Sequence, residues 1–118
     1  MAIRRVFVLD VLDYDGTPVR LCRERWYNHI LAKRPWMASY LPEIQIVITA
    51  PKLSKRIITN ERFPDCLDYY MFGLGRGKAS RLYLKVVIQF YEKEGQKRGW
   101  IRTAFFVSEL SRKGDLII

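Results

Sequence analysis

His29 is the only histidine in the chain, and it is the side chain best suited to moving a proton near neutral pH, because imidazole has an unperturbed pKa of about 6.5. At helical spacing it lies between the apolar positions Trp26 and Ile30 and the cations Arg25 and Lys33. These cations predict a lowered pKa and a neutral imidazole that accepts a proton. A histidine at such a border also suits a purely packing role, and that alternative stays open.

The segment from Arg76 to Lys85 combines cations with aromatic side chains. Cations bind backbone phosphates, and exposed aromatic rings stack on unpaired bases. Lys85, together with Trp100, therefore belongs to a predicted RNA platform on the non-core sheet face. An ordinary solvated strand face has the same composition and is the competing interpretation. The side chains predicted to bind RNA are Arg25, Arg76, Lys78, Arg81, Tyr83 and Arg102.

Spacing argues against several other kinds of site. The run from Gly73 to Lys78 resembles a phosphate-binding loop but lacks its Gly-Lys-Ser/Thr ending. The carboxylates Asp65 and Asp68, and those between Asp10 and Asp15, do not have the spacing of a metal-binding loop. No Gly-x-Ser-x-Gly motif predicts acyl transfer. We therefore expect neither a metal nor another cofactor.

The charge balance favours a polyanionic partner. The chain carries 21 Lys and Arg against 12 Asp and Glu, a formal net charge of +9 on 118 residues. A field of one sign concentrates partners of the other sign, although solubility alone is a competing explanation. With 49% hydrophobic residues, residues 1–118 should form a single domain with a buried core.

Cysteine usage and hydropathy predict where the protein works. Cys22 and Cys66 belong to no metal-binding or disulfide pattern, which is typical of reduced thiols in the cytoplasm. No segment approaches the roughly 18 apolar residues of a membrane span, so we expect no membrane association.

Local patterns predict the elements that would position these residues. Residues 3–12 and 18–21, with Asp15 and Gly16 at the turn between them, indicate a β-hairpin. Helical spacing begins at Arg23 and ends at Pro35. A second helix is predicted over residues 38–49, although 46–48 also fit a strand. Short strands are expected at 56–59 and 67–72, followed by a flexible turn at Gly73, Gly75 and Gly77.

Two long strands end the chain, and their alternation predicts opposite roles for Lys85 and Thr103. Even positions from 82 to 90 form the core face of the first strand, which leaves Lys85 on the other face. Odd positions from 101 to 107 form the core face of the second, which includes Thr103. The predicted fold is α+β, with an N-terminal β-hairpin, two helices and a roughly four-stranded antiparallel sheet packed on the helices. Both residues can serve one site only at a cleft edge or after a bulge.

The order of several short motifs resembles the phage- and toxin-associated domains of the barnase, EndoU, colicin and RelE-like (BECR) ribonuclease superfamily. The likeness extends from about Arg20 to Val107 and implies helices before a four-stranded antiparallel sheet and metal-independent RNA cleavage. The motifs are Val19-Arg20-Leu21, Glu24-Arg25-Trp26, His29-Ile30-Leu31, Pro51, Tyr69-Tyr70, Tyr83-Leu84-Lys85-Val86-Val87-Ile88 and Thr103-Ala104-Phe105.

The resemblance implies three catalytic residues, His29, Lys85 and Thr103. The expected reaction is attack of an RNA 2′-hydroxyl on its own 3′-phosphodiester, with His29 as base or acid. Lys85 and Arg81 would hold the phosphate, and Thr103 would position it. Arg34 stands before Pro35 where relatives often have histidine, and if that second histidine is needed, this chain binds RNA without cutting it.

The leading hypothesis is therefore a small ribonuclease of toxin type, held inactive by a cognate inhibitor protein. One alternative is a non-catalytic RNA-binding or protein-interaction domain. Another is a homo-oligomer in which the apolar final strands pair across an interface.

Overall fold

Six strands form one sheet in a computed structural model of the protein, which describes residues 6–118. The strands lie in the order β1-β2-β6-β5-β4-β3. Residues 3–5 of the predicted first strand lie outside the described residues. The strand bounds are Phe7–Leu12 for β1, Pro18–Cys22 for β2, Arg56–Thr59 for β3, Cys66–Phe72 for β4, Tyr83–Lys93 for β5 and Gln96–Val107 for β6.

The predicted α+β class is confirmed, but the four-stranded antiparallel sheet is wrong. The N-terminal hairpin joins the main sheet because β2 pairs in parallel with β6, placing Val19 opposite Gly99 and Arg20 opposite Trp100. A Cβ atom on Gly99 would lie 2.9 Å from a methyl carbon of Ile88, so glycine permits close packing here. The sheet is therefore six-stranded and mixed.

The first helix covers residues 23–33 and contains a π-helical turn at Trp26–Ile30. It buries Trp26 and Ile30, which lie on one face at this spacing. The helix ends at Arg34 because the residue before a proline is disfavoured in helical conformation. A 3₁₀ segment, Pro35–Tyr40, leads into the second helix, Leu41–Thr49. The helical interpretation of residues 46–48 is thus confirmed.

Both helices pack against one face of the sheet, here called the helix-packed face. Tyr69, Val86 and Ala104 lie side by side on it across three strands, and all three are buried. Ile44 and Ile48 of the second helix belong to the same core. The described residues contain no helix that is long and apolar enough to cross a membrane.

The C-terminal segment, residues 108–118, runs from β6 to the outer edge of β3 across the opposite face of the sheet. Leu110 shares a cavity with Tyr70 and Tyr83 on that face. The amide of Thr59 in β3 then donates to the carbonyl of Asp115 at 2.9 Å. Tyr70 points away from the helices and is nevertheless buried.

A β-bulge at Arg102 changes which residues of β6 face the core. Ile101 pairs with Ile88, but Thr103 pairs with Val87, so Arg102 is an extra residue on β6. The predicted core face is therefore right at Ile101 and wrong from Thr103 onward. The bulge reverses the alternation, and Ala104 takes the buried position.

A polar network is buried beneath the turn between β1 and β2. Oδ1 of Asp13 accepts the amide of Thr17 at 2.9 Å, and Oδ2 accepts the hydroxyl of Tyr69 at 3.1 Å. Lys55 is also buried and donates to the carbonyls of Val47 and Ile48 at 2.6 and 2.8 Å. These carbonyls lie at the end of the second helix, where a cation compensates the helix dipole.

Candidate nucleic-acid interface

A groove follows the first helix, and only its part near Cys22 also borders the sheet, at Gln89 of β5 and residues 100–102 of β6. It consists of two cavities, of about 210 and 270 Å³, that share Cys22 and Arg25. We call it the helix–sheet groove, and it is lined by Cys22, Glu24, Arg25, Asn28, His29, Gln89, Trp100, Ile101 and Arg102.

The parallel pairing of β2 with β6 creates this groove. β2 lies beside the start of β6 and then turns into the first helix, so the helix continues along the part of β6 that bears the bulge. Cys22 caps the helix, with its Sγ accepting the amide of Arg25 at 3.4 Å. Arg25 from the helix and Arg102 from the bulge therefore line the same cavity.

Arg102 is held in place by neighbouring strand and loop residues. Its Nη1 donates to Oε1 of Gln89 at 3.2 Å, and Nε2 of Gln89 donates to Oδ2 of Asp65 at 2.7 Å. The guanidinium carbon lies 4.8 Å from the ring centroid of Phe63, a distance suited to a cation–π contact. These contacts hold the Arg102 guanidinium in one orientation.

His29 lines the other end of the helix–sheet groove. Burial lowers its pKa below the ordinary value, and the positive charges of Arg25, Lys33, Arg102 and Arg34 lower it further. The predicted direction is confirmed, and the structure adds Arg102 and Arg34 to the two cations inferred from the sequence. The imidazole is consequently neutral at physiological pH and able to accept a proton.

Lys85 and Thr103 lie on the same sheet face because of the bulge. Lys85 pairs with Phe105, and Thr103 pairs with Val87, so Lys85 and Thr103 are diagonal neighbours, typically ~7–8 Å apart. Neither residue lines the cavity that contains His29. The three predicted catalytic residues therefore do not share one cavity.

Lys85 has a carboxylate partner that sequence reasoning missed. Its Nζ lies 3.5 Å from Oδ2 of Asp68, whose Oδ1 accepts the side-chain amide of Asn60 at 2.9 Å. The Asp68 side chain is only 2% exposed. An aspartate within the apolar strand β4 was the available signal, since buried carboxylates need partners.

Arg34 connects the first helix to this sheet face. Its guanidinium carbon lies 4.4 Å from the ring centroid of Phe105, and Nζ of Lys85 lies 5.4 Å from the same centroid. Both distances suit cation–π contacts. From the sequence, Arg34 was only a departure from the pattern of the ribonucleases that the chain resembles, whereas the structure places it beside a predicted site residue.

The other predicted RNA-binding residues lie outside the helix–sheet groove. Arg76 and Lys78 line a separate cavity of about 480 Å³. Tyr83 lines a third region beside Tyr70, and Arg81 is exposed. We call the 480 Å³ cavity the end cavity, and it is lined by Arg34, Trp36, Tyr40, Arg76, Lys78, Ala79, Leu82 and Phe106.

Neither thiol of the described chain forms a disulfide. Burial raises the pKa of the Cys66 thiol to about 11, which keeps it protonated and unreactive at neutral pH. Among residues 6–118, no three His, Cys, Asp or Glu side chains are grouped so that they could hold a metal ion.

Comparison of the chain with protein-family models, curated proteins and solved structures found no match. The resemblance to the ribonuclease superfamily stays a prediction.

Proposed function

We propose that this protein binds RNA along the helix–sheet groove and cleaves it without a metal ion, with His29 as the proton acceptor. One observation carries the proposal. Arg25 from the helix and Arg102 from the strand line one cavity, and Arg25 also lines the adjoining cavity that contains His29. Such an arrangement offers phosphate-binding cations next to a neutral base.

Two arginines and one carboxylate, Glu24, line the groove, and its net positive charge supports an anionic ligand. Among the described residues, neither Arg25 nor Arg102 lies within salt-bridge distance of a carboxylate. The net charge of +9 extends the attraction to the whole molecule. A phosphodiester in the groove would receive charge-assisted hydrogen bonds from both guanidinium groups.

The proposed reaction uses the 2′-hydroxyl of RNA as its nucleophile. His29 takes the hydroxyl proton while the 2′-oxygen bonds to the adjacent phosphorus and the bond from phosphorus to the 5′-oxygen breaks. The leaving oxygen takes a proton from water, giving a 2′,3′-cyclic phosphate and a 5′-hydroxyl. Arg25 and Arg102 would stabilise the charge that develops on the phosphate. Lys85 and Thr103 would contact a neighbouring phosphate on the adjoining sheet face.

Incubation with RNA in the presence of EDTA tests this proposal. The unmodified protein should cut RNA and leave cyclic phosphate ends, while His29→Ala should lose cleavage by about 100-fold or more, the usual contribution of a general base. RNA binding by His29→Ala should persist. Asn28→Ala is the matched control, because Asn28 lines the same cavity and has no proposed role. Undiminished cleavage by His29→Ala would remove His29 from the mechanism.

RNA binding without cleavage is the second candidate function. The ion pair between Lys85 and Asp68 favours it, because a paired lysine offers less positive charge to a phosphate. Arg34 in place of the family's histidine favours it as well. Binding to RNA that leaves the strand intact over long incubation would establish this candidate and exclude the first.

A role as a toxin would require a cognate inhibitor protein in the cytoplasm. An inhibitor with an acidic surface could bind the helix–sheet groove and exclude RNA from it. The third alternative, a homo-oligomer, predicts that the chain associates with itself in the absence of RNA. Sedimentation at two protein concentrations separates it from the first two. A concentration-independent monomer would exclude the homo-oligomer.

A further inference from the structure

The end cavity combines apolar walls with a cationic rim. Its volume of about 480 Å³ falls within the ~300–1,000 Å³ that small-molecule sites usually enclose. Aromatic and aliphatic side chains form its walls, and the cations among its lining residues are Arg34, Arg76 and Lys78. A ligand that suits this cavity has a flat apolar part and a negatively charged part.

Trp36 supplies the stacking surface of the end cavity. Its side chain is 62% exposed, although tryptophan is usually highly buried. Across the cavity, Phe106 packs edge-to-face against Tyr40 with ring centroids 4.8 Å apart. Phe106 and Tyr40 are therefore held by the core, whereas the exposed face of Trp36 is available to a ligand.

Arg76 contributes more to the shape of the end cavity than to its net positive charge. Its Nη1 lies 2.7 Å from Oε1 of Glu43, and its Nη2 donates to both oxygens of Ser39 at 3.1 Å. The amide of Arg76 also donates to the hydroxyl of Tyr40 at 2.9 Å. Because Glu43 compensates the charge of Arg76, an anionic ligand would depend on the two other cations.

Lys78 and Arg34 supply that charge. Among residues 6–118, neither has a carboxylate within salt-bridge distance. Arg34 also contacts Phe105 on the sheet face, which Lys85 contacts as well. Arg34 thus lies next to both the sheet face and the end cavity, so positive charge extends from one to the other.

We propose that the end cavity binds one unpaired nucleotide of the RNA, with its base stacked on Trp36 and its phosphate held by Arg34 and Lys78. This inference rests on the proposed RNA binding but not on cleavage. A base within a duplex is already stacked and paired, so it cannot enter the cavity. The protein should therefore prefer single-stranded RNA, and Trp36 should be the residue responsible for that preference.

Binding of two fluorescently labelled RNAs tests the inference. One is an unpaired oligonucleotide and the other a blunt duplex, both with 2′-O-methyl groups so that no nucleophilic hydroxyl is present. Trp36→Ala should weaken binding of the unpaired RNA about tenfold, since stacking of one base on an aromatic ring has effects of this size. It should leave duplex binding unchanged. Lys78→Gln should also weaken binding of the unpaired RNA, because it removes a contact to the phosphate of the bound nucleotide.

Two further variants make the test specific. Trp36→Phe retains an aromatic ring and should recover most of the affinity for unpaired RNA. Tyr27→Ala is the matched control, because Tyr27 is 52% exposed and lies near Arg23 but does not line the end cavity.

Two other results would contradict base binding in the end cavity or RNA binding as a whole. Unchanged affinity of Trp36→Ala for unpaired RNA, or equal losses for both RNAs, would overturn the base-binding role of the end cavity while leaving RNA binding intact. Failure of the unmodified protein to bind either RNA would overturn the proposed function, and this inference with it.

Discussion

Nζ of Lys85 lies 3.5 Å from Oδ2 of Asp68, on the sheet face that points away from the helices. The side chain of Asp68 is 2% exposed and that of Lys85 is 19% exposed. Removing one member of such a pair leaves a charge that is poorly solvated. The pair therefore links the stability of the sheet to the placement of a predicted site residue.

Asp68→Asn should destabilise the fold by about 3 kcal/mol, at the lower end for a buried pair, because Lys85 loses its counter-charge and is itself 19% exposed. Chemical denaturation of the purified variant measures this change. The control is Asp10→Asn, because Asp10 forms an exposed ion pair with Arg20, and such pairs contribute about 1 kcal/mol or less. Equal and small effects of both substitutions would show that the Lys85 pair does not stabilise the protein.

Arg102→Gln and Arg25→Gln should each weaken RNA binding and reduce its dependence on salt. Loss of one phosphate contact lowers the slope of log K against log salt by about 0.7 for a single strand. Arg112→Gln is the matched control, since the Arg112 side chain is 86% exposed and lies outside the groove. Anisotropy titrations at several salt concentrations supply the slopes. A slope unchanged from the unmodified protein would place the phosphate contacts elsewhere.

The pKa of His29 should lie below its ordinary value, because burial and the nearby cations disfavour the imidazolium. Cleavage that depends on a neutral His29 should rise with pH through this lowered pKa and stay active below pH of about 6.5. NMR titration of the imidazole protons measures the same pKa without RNA. In Arg102→Gln, loss of one positive charge should raise it. A pKa that does not respond would contradict the electrostatic coupling between His29 and Arg102.

Lys55 should make stability depend on pH in the alkaline range. Burial lowers its pKa in the folded protein from 10.5 to about 8, while Asp13 and Asp15 partly oppose the shift. Between these two values the unfolded chain binds more protons than the folded chain, so this residue's contribution to the free energy of unfolding increases as pH rises. Thermal unfolding from pH 7.5 to 10 should therefore show the unmodified protein gaining stability relative to Lys55→Met.

The comparison with Lys55→Met also separates this effect from that of Cys66. The pKa of the Cys66 thiol is raised from 9.0 to about 11 in the folded protein. The unfolded chain therefore loses the thiol proton at lower pH than the folded chain does, and the free energy of unfolding falls as pH rises between these two values. Both proteins share that loss, so it cancels in their difference. Parallel pH profiles for the two proteins would rule out a shifted pKa at Lys55.

Local patterns were enough to predict most elements. Helical spacing from Arg23 and the proline at position 35 bracket the first helix, whose last residue is Lys33. Alternation predicted β5 with its core face, because the strand is long and regular. These features depend on residues close together in the chain, and a sequence displays them directly.

The parallel pairing of β2 with β6 had no comparable signal. It joins Val19 to Gly99, and strands so distant in sequence can pair in several registers that local patterns do not distinguish. The predicted four-stranded sheet was wrong for this reason. The same pairing creates the helix–sheet groove, so the position of Arg25 beside Arg102 was also beyond sequence reasoning.

The sequence by itself determined the net positive charge, the lowered pKa of a lone histidine among cations, and most of the helices and strands on which these residues lie. Only the tertiary structure decided which of those residues meet. The bulge at Arg102 moved Thr103 onto the face of Lys85, since one extra residue reverses every later position of a strand. The fold also buries Asp68 next to Lys85. The two side chains form an ion pair because a buried carboxylate is stable only with a compensating charge or hydrogen bond.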